Sequence, residues 1–407
     1  MKESGFKEVT RVAAAQERLL DAVTPVESTQ SLPLLSADGR VLAETVAAAR
    51  NVPHYPRAAM DGYAVRAQDT FGASSRSPAV LREREREESV VPEAATPVHT
   101  GSELPDGADA VVMVEETERV AGEVEVLDAV GEGENVAPPG EDVEAGQPLY
   151  DAGHQLRPSD VGLLKSTGVT EVDCYDRPSV GVVPTGEELV QANPEPGEII
   201  ETNGLTVSRL VERWGGAATY RDVVTDDAAA LRAAIQRDLT KDLVVTTGGS
   251  SVGERDLIPD VVDELGELLV HGVALKPGHP CALGVVEGTP VLMLPGYPVA
   301  CIVNAVQFLR PALKAAGRMP REPFPTVEAR LTRKIASSPG ERTFVRVSLA
   351  ESDGDAAPDL DATPTRASGS GVLSSVALAD GWVVVEEDSE GIAESAIVTV
   401  ENWEYHV

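Results

Sequence analysis

Between residues 177 and 309 one recurring pattern limits what this chain can become. Short apolar, β-branched runs stop at glycine- or proline-bearing turns, and most of these turns lead into segments of helical periodicity. The run Leu243-Val-Val-Thr-Thr-Gly-Gly-Ser-Ser-Val-Gly-Glu-Arg-Asp256 shows it most sharply, as a buried strand, a Gly/Ser turn and a helix start. Residues 179–183 read as another strand, ending at Pro184-Thr-Gly-Glu-Glu-Leu189. Val207, Leu210, Val211 and Trp214 fall on one helical face, and Gly215-Gly216 stops that helix. A strand near 218–224 follows, and Thr225-Asp-Asp227 can cap a helix over 228–237. Leu257, Val261 and Leu265 stripe the next helix, residues 270–275 and 291–294 are further strands, and 298–309 a last helix. Strands alternating with helices demand right-handed crossovers, hence a mostly parallel sheet covered on both faces.

Open sheets of this kind bind ligands off the carboxyl ends of their strands. The loops 184–188, 225–227, 248–256 and 295–298 should therefore converge. Gly248 and Gly249 allow backbone conformations closed to other residues, and Ser250 and Ser251 add hydroxyls. With a helix N-terminus behind them they form an anion site, and Asp256 sets a carboxylate beside it. Lys276 leaves a strand into the rigid turn Lys276-Pro-Gly-His279, and Pro295-Gly296 make a second tight strand-to-helix turn. Acids recur on loops: Asp61, Asp142, Glu187, Glu188, Asp226, Asp227 and Asp256. Oxygen ligands with few histidines suit Mg²⁺, held by one or two carboxylates and the phosphates of a substrate. Most carboxylates in so acidic a chain are surface coat; position at the sheet's ligand edge raises Asp226, Asp227 and Asp256 above the rest.

The remainder of the chain is organised differently. Residues 8–23 read as an amphipathic helix. Residues 51–65 hold two prolines and then Met60-Asp-Gly-Tyr63, a turn that presents Asp61. Residues 78–130 are β-rich, 131–142 form a Gly/Pro-rich crossing, 158–168 a short helix, and the chain turns all-β after Pro325. At 407 residues it exceeds a single core. The net charge of −33, from 67 acidic and 34 basic residues, argues against a nucleic-acid binder. Because the acids are spread along the chain, the excess reads as a solvated coat suited to high salt, and so to a salt-adapted microbe, an archaeon. Cys174, Cys281 and Cys301 show no paired spacing and read as buried thiols of a reducing cytoplasm. With no apolar leader and no run approaching a membrane span, the expected place is the cytoplasm, with no membrane partner. No Ser–His–Asp or Cys–His constellation is legible, and the scattered histidines lack zinc spacing.

Several stretches, taken in order, resemble the molybdopterin molybdenumtransferase family (MoeA type), relatives of the gephyrin E domain. They are Ala59-Met-Asp-Gly-Tyr-Ala64, Thr100-Gly101, Gly107-Ala-Asp-Ala-Val111, Gly140-Glu-Asp142, Pro184-Thr-Gly-Glu-Glu-Leu189, Thr202-Asn203, Thr247–Asp256, Lys276-Pro-Gly278, Leu294-Pro-Gly-Tyr-Pro-Val299, Gly340–Arg346 and Gly369–Ser375. The resemblance implies four domains: a discontinuous elongated one from 1–50 and 136–176, an inserted β-rich one at 51–135, an α/β molybdopterin-binding one at 177–319, and a C-terminal β domain at 320–407. It implies a homodimer whose site lies between the α/β domain of one subunit and the inserted region of the other. Other cofactor-biosynthesis proteins are possible partners. The implied reaction inserts molybdate into adenylylated molybdopterin with Mg²⁺ and releases AMP. Asp61, Glu188, Asp226 or Asp227, and Asp256 would serve metal and nucleotide phosphate. Ser251, Lys276, Arg346 and Ser370 would bind oxyanions, with Gly248, Gly249, Ser250, Gly278, His279, Pro295 and Gly296 shaping the cofactor pocket, and Thr100 and Asp142 supporting it across the dimer. His279, Tyr297 and Pro138-Pro139 depart from the family pattern of Lys, Asn and arginines. Three other readings stay open: a tungstate-preferring paralogue, a non-catalytic carrier or scaffold, and an adenylyltransferase acting one step earlier.

Overall fold

The computed structural model describes residues 9–85, 88–248, 257–352, 357–365 and 370–405. The chain divides into two compact units, residues 31–174 and residues 1–30 with 175–407.

The larger unit holds a six-stranded sheet. Its strands are β1 (Ser179–Pro184), β2 (Ala217–Tyr220), β3 (Leu243–Thr247), β4 (Glu267–His271), β5 (Ala282–Val286) and β6 (Thr289–Leu294). They lie in the order β2-β1-β3-β6-β5-β4. The first four in that order are parallel, and β5 and β4 complete the sheet antiparallel. The antiparallel edge follows from one turn. Glu287 (φ 50°) and Gly288 (φ 86°) join β5 to β6 with two residues at positive φ, the geometry of a tight hairpin, so no crossover helix intervenes. Helices α1 (Val12–Asp21), α2 (Asn203–Arg213), α3 (Ala228–Asp238), α4 (Leu257–Leu265) and α5 (Pro298–Ala316) belong to this unit. Leu231 and Ile235 of α3, Ile258, Val261 and Val262 of α4, and Val244, Val291 and Met293 of the sheet form one buried cluster. At about 25 cal/mol per Å² of apolar surface, such burial is the main driving term here.

Several expectations shift by physical causes visible in the coordinates. The strand expected at 270–275 is split: Gly272 takes φ 91°, β4 ends at His271, and Leu275–Lys276 joins a different sheet. The last helix runs on to Ala316 through a π-helical stretch at Ala305–Leu309. It is long and apolar enough to cross a membrane, contrary to the sequence expectation, but 78% of its apolar window is buried inside the protein as a core helix. The N-terminal helix, expected with the elongated domain, packs on α5 in the larger unit. Val12, Ala15 and Leu19 are its buried face.

The C-terminal segment closes into a ring of five strands. Arg342–Glu351 pairs with Leu360–Pro364, then come Thr326–Leu331, Ile397–Glu401 and Gly381–Val385, which pairs back to Arg342–Glu351. Closure removes exposed strand edges. Trp382 stacks on Trp403 and meets Phe344 edge-on at one end of this barrel. Leu275–Lys276 adds parallel beside Arg342–Glu351, with Leu275 opposite Arg342 and Lys276 opposite Thr343.

The smaller unit has two bodies of core. Leu34, Ala37 and Leu42 pack with Leu156, Leu164, Val172 and Cys174, so both ends of the segment meet. Between them, residues 62–128 build a second six-stranded sheet over Val65, Leu81, Ala95, Val112, Val124 and Val126. A segment that leaves a core, folds its own sheet and returns is an insertion.

Candidate functional site

The carboxyl ends of the parallel strands come together as β1, β2, β3 and β6 require. β1 is followed in sequence by β2 on one side, and the chain then crosses to β3 on the other. The switch point lies between β1 and β3, where such sheets open a ligand crevice. Backbone hydrogen bonds tie the loops there: Gly186 N–H to Val224 O (3.1 Å), Thr185 N–H to Thr247 O (3.2 Å), and Gly248 N–H to Leu294 O (3.1 Å). Gly248 takes φ 120°, and a Cβ on it would meet Thr185 O at 2.2 Å, so only glycine fits. Asn203, at the start of α2, donates from Nδ2 to Gly296 O (2.7 Å) and holds the 295–297 turn against the edge. Pro295 is buried and Gly296 exposed there.

Two adjacent acids on this edge have different roles. Asp227 caps α3, its Oδ2 accepting the Ala230 N–H at 2.9 Å. This is the cap expected from the sequence, and it occupies one of the two oxygens offered for metal. Asp226 is partly buried, and its carboxyl is raised above the usual range, first by burial and then by the charges of Glu188 and Glu187. Two carboxylates from neighbouring loops that repel one another in a partly dry site are suited to a shared cation. Glu188 sits on a tight loop: a Cβ on Gly186, at φ 148°, would lie 2.9 Å from Glu188 Oε2. Among the described residues no three His, Cys, Asp or Glu side chains cluster as a closed metal site. An Mg²⁺ held by two carboxylates and substrate phosphate needs no such cluster, so Glu188 and Asp226 fit it. Gly249, Ser250, Ser251 and Asp256 lie outside the described residues.

The second expected anion turn is braced from within. Lys276 side chain is half exposed. Gly278 takes φ 130°, and its carbonyl accepts Asn304 Nδ2 at 3.1 Å, while the same amide reaches Ala300 O at 2.8 Å. Asn304 is fully buried on α5 just before the π-helical stretch, a distortion common near functional sites. His279 Nε2 lies 2.9 Å from Glu341 Oε1, and His279 O accepts the Val273 and Cys281 N–H groups. From the barrel, Ser370 O accepts the Val299 N–H (3.0 Å), which brings Ser370 beside Tyr297 at the N-terminus of α5. Arg346 is buried, burial lowers its pKa, and its Nη2 donates to Ser375 Oγ at 3.2 Å. Its first duty is thus to hold the turn after Val372, whose carbonyl accepts Ser375 Oγ–H.

In the smaller unit Asp61 precedes the strand Gly62–Val65 and is exposed. Thr100 donates to Asp61 Oδ1 from N–H (2.7 Å) and Oγ1 (3.1 Å), with His99 Nδ1 at 3.7 Å. The Thr100 N–H is the main reason that the Asp61 carboxyl lies below its usual range. Asp61 and Thr100, singled out separately in the sequence, are thus hydrogen-bonded partners: Thr100 aims the carboxylate and favours its ionised form. Gly62 could be nothing else, since a Cβ would meet Val112 O at 1.9 Å. Asp142 is exposed, its N–H bonded to Val52 O. The three cysteines are buried and free, as read from their spacing, and burial drives the Cys281 and Cys301 thiols upward.

The sequence reading missed Asn304, and it quoted Asn203 and Glu341 only inside motifs of the family resemblance, without giving either a role. Asn304 carried a signal, as one of two amides, with Gln307, in the otherwise apolar run Val299–Leu309. The pairing of Glu341 carried no signal, because its partners Lys276 and His279 are distant in sequence.

Comparison with known proteins agrees with this geometry. Residues 10–168 match the MoeA N-terminal region (domains I and II), 181–315 a molybdopterin binding domain, and 328–403 the MoeA C-terminal region (domain IV). A molybdopterin biosynthesis protein of Methanocaldococcus jannaschii is 35% identical over 395 residues, 94% of each chain. The molybdopterin molybdenumtransferase of Haemophilus influenzae is 30% identical over 401 residues, covering 96% of this chain and 98% of its own. A crystal structure of the molybdopterin biosynthesis MoeA protein of Pyrococcus horikoshii superposes with a TM-score of 0.81 at 33% identity, covering 98% of this chain and all of that one. The α/β sheet with its crevice, the inserted β region and the terminal barrel are those of the molybdopterin molybdenumtransferases, enzymes of molybdenum cofactor biosynthesis, and the chain belongs to that family.

Proposed function

We propose that the chain inserts molybdate into adenylylated molybdopterin and releases AMP in an Mg²⁺-dependent step. The observation that carries this reading is the placement of Glu188 and Asp226 on neighbouring loops at the sheet's switch point, where burial and the neighbouring acids make the charged form of Asp226 costly and a cation would offset that cost. Family membership supports the pterin substrate. When bound, Mg²⁺ would neutralise the pyrophosphate of the substrate and ease departure of AMP. The chain's own residues orient it: Gly248 and Gly296 let backbone approach the ligand closely, Asn203 holds the 295–297 turn, and Lys276 offers charge to an oxyanion. Asp61, ionised and aimed by Thr100, is proposed to complete the site of a second copy in a homodimer. Incubation with adenylylated molybdopterin, molybdate and Mg²⁺ is expected to release AMP stoichiometrically with metal insertion. Release with tungstate alone would reassign the metal, and no turnover with either oxyanion would make the protein a carrier.

We also propose a cytoplasmic, salt-rich setting. With a net charge of −33 the folded state repels itself, and screening at high ionic strength relieves this. Thermal unfolding followed by circular dichroism is expected to shift upward, by several degrees at least, between about 0.1 M and 2 M KCl. An unchanged or falling midpoint would remove the salt-adaptation reading.

A further inference from the structure

The turn after Leu275–Lys276 is not an open cationic pocket. Glu341, from the loop entering the barrel strand Arg342–Glu351, reaches both of its basic side chains. His279 Nε2 is 2.9 Å from Glu341 Oε1, and Lys276 Nζ is 3.9 Å from Glu341 Oε2. The placement is built in by the fold. Arg342 N–H donates to Ala274 O (2.9 Å), and the register sets Leu275 opposite Arg342, so the residue before Arg342 must sit at the turn. Glu341 N–H is itself tied to Ser338 O at 3.3 Å. The neighbouring Arg342 does not take the Glu341 charge, because its guanidinium is paired with Glu386 at 2.7 Å. One carboxylate with two oxygens therefore spans Lys276 and His279, the way a bound oxyanion would.

We infer that Glu341 is a specificity-determining residue, an internal carboxylate that occupies the oxyanion position of the Lys276–His279 turn and must be displaced by the incoming anion. The inference rests on the proposed reading of that turn as an oxyanion site. Glu341 could act in two opposite ways. It could orient Lys276 and His279 and so strengthen binding, or compete for them and weaken it. The lysine pair is long and its side chain half exposed, so the orienting effect is small. A like charge at ion-pair distance from any anion held by both side chains is the larger effect. Competition therefore wins, and because the repulsion scales with the charge of the incoming anion, it disfavours doubly charged anions most.

The test is calorimetric titration of the full chain with molybdate, and with nitrate as the singly charged probe. Glu341→Gln is expected to bind molybdate about three- to tenfold more tightly and to gain in preference for it over nitrate. Glu341→Ala should behave likewise, and Glu341→Asp should return toward the parent. In AMP release the molybdate KM should fall with kcat changed much less, a split that a merely structural role would not produce. Equal or weaker molybdate binding by Glu341→Gln overturns the inference. Lys276→Ala separates the two levels. If it weakens molybdate binding while Glu341→Gln does not tighten it, the turn is an oxyanion site and only the role of Glu341 falls. If Lys276→Ala changes nothing, the turn is not an oxyanion site and both fall.

Discussion

Asp226→Asn and Glu188→Gln are each expected to weaken Mg²⁺ dependence of AMP release by at least about 100-fold, since even residues that only support a metal ligand typically cost 10- to 100-fold. The reason lies in electrostatics. Asp226 is raised first by burial and then by the charges of Glu188 and Glu187, so its ionised form is costly unless a cation offsets the charge. On the proposed reading, removing one carboxylate would remove both a ligand and the repulsion that favours a cation there. Asp227→Asn, by contrast, keeps an oxygen able to accept the Ala230 N–H and should cost little activity. The comparison decides which acid of the pair serves the metal. Mixing Asp226→Asn subunits with Asp61→Ala subunits is expected to restore part of the activity absent from either alone. Failure of that complementation, with each variant folded, would place Asp61 and Asp226 in the same subunit's site or Asp61 outside it.

Asp160→Ala should destabilise the smaller unit by about 2 kcal/mol, in the range for losing hydrogen bonds to a buried charged group whose arginine partner stays solvated. Its carboxylate is almost fully buried at the start of the helix Pro158–Ser166. It accepts Arg157 N–H (2.9 Å), Arg157 Nε (3.0 Å) and Nη2 (2.9 Å), and Tyr150 OH (3.1 Å), with His154 Nε2 at 2.7 Å. Burial pushes this carboxyl up, but the hydrogen bonds from Arg157, His154 and Tyr150 pull it further down, to well below the ordinary 3.8. A depressed folded pKa stabilises the fold fully above the unfolded value and loses that contribution as pH falls through the folded one. The difference between parent and variant, from urea unfolding, should therefore be complete at neutral pH and shrink as pH drops below about 4. A difference that grows with acidity would contradict the assignment.

Much of the α/β sheet could be read from residue order because its signals are local. Strand runs, caps and glycine stops recur at short spacing, and Asp227 was legible as a cap for the same reason. The hairpin that makes the edge antiparallel was harder, since Glu287-Gly288 is only two residues between apolar runs. Residues 270–275 were read as one strand because most are compatible with it, and only the positive φ of Gly272 and the pairing of Leu275 with Arg342 show where the split falls. The choice between Asp226 and Asp227 was not legible either, because adjacent acids look alike until one spends an oxygen on a helix N-terminus.

What the sequence by itself determined was the list of parts: glycine where a Cβ cannot fit at Gly62 and Gly248, acids on the loops after parallel strands, and the ordered motifs that mark the family. The tertiary structure alone decided which charges meet. Glu341 reaches Lys276 and His279 only because a two-residue strand from the α/β domain registers against the barrel, and Asp226 feels Glu188 only because β1 and β2 are neighbours in the sheet. Charge–charge energies fall off with distance in space and not along the chain, so they become readable only once strand order has been set.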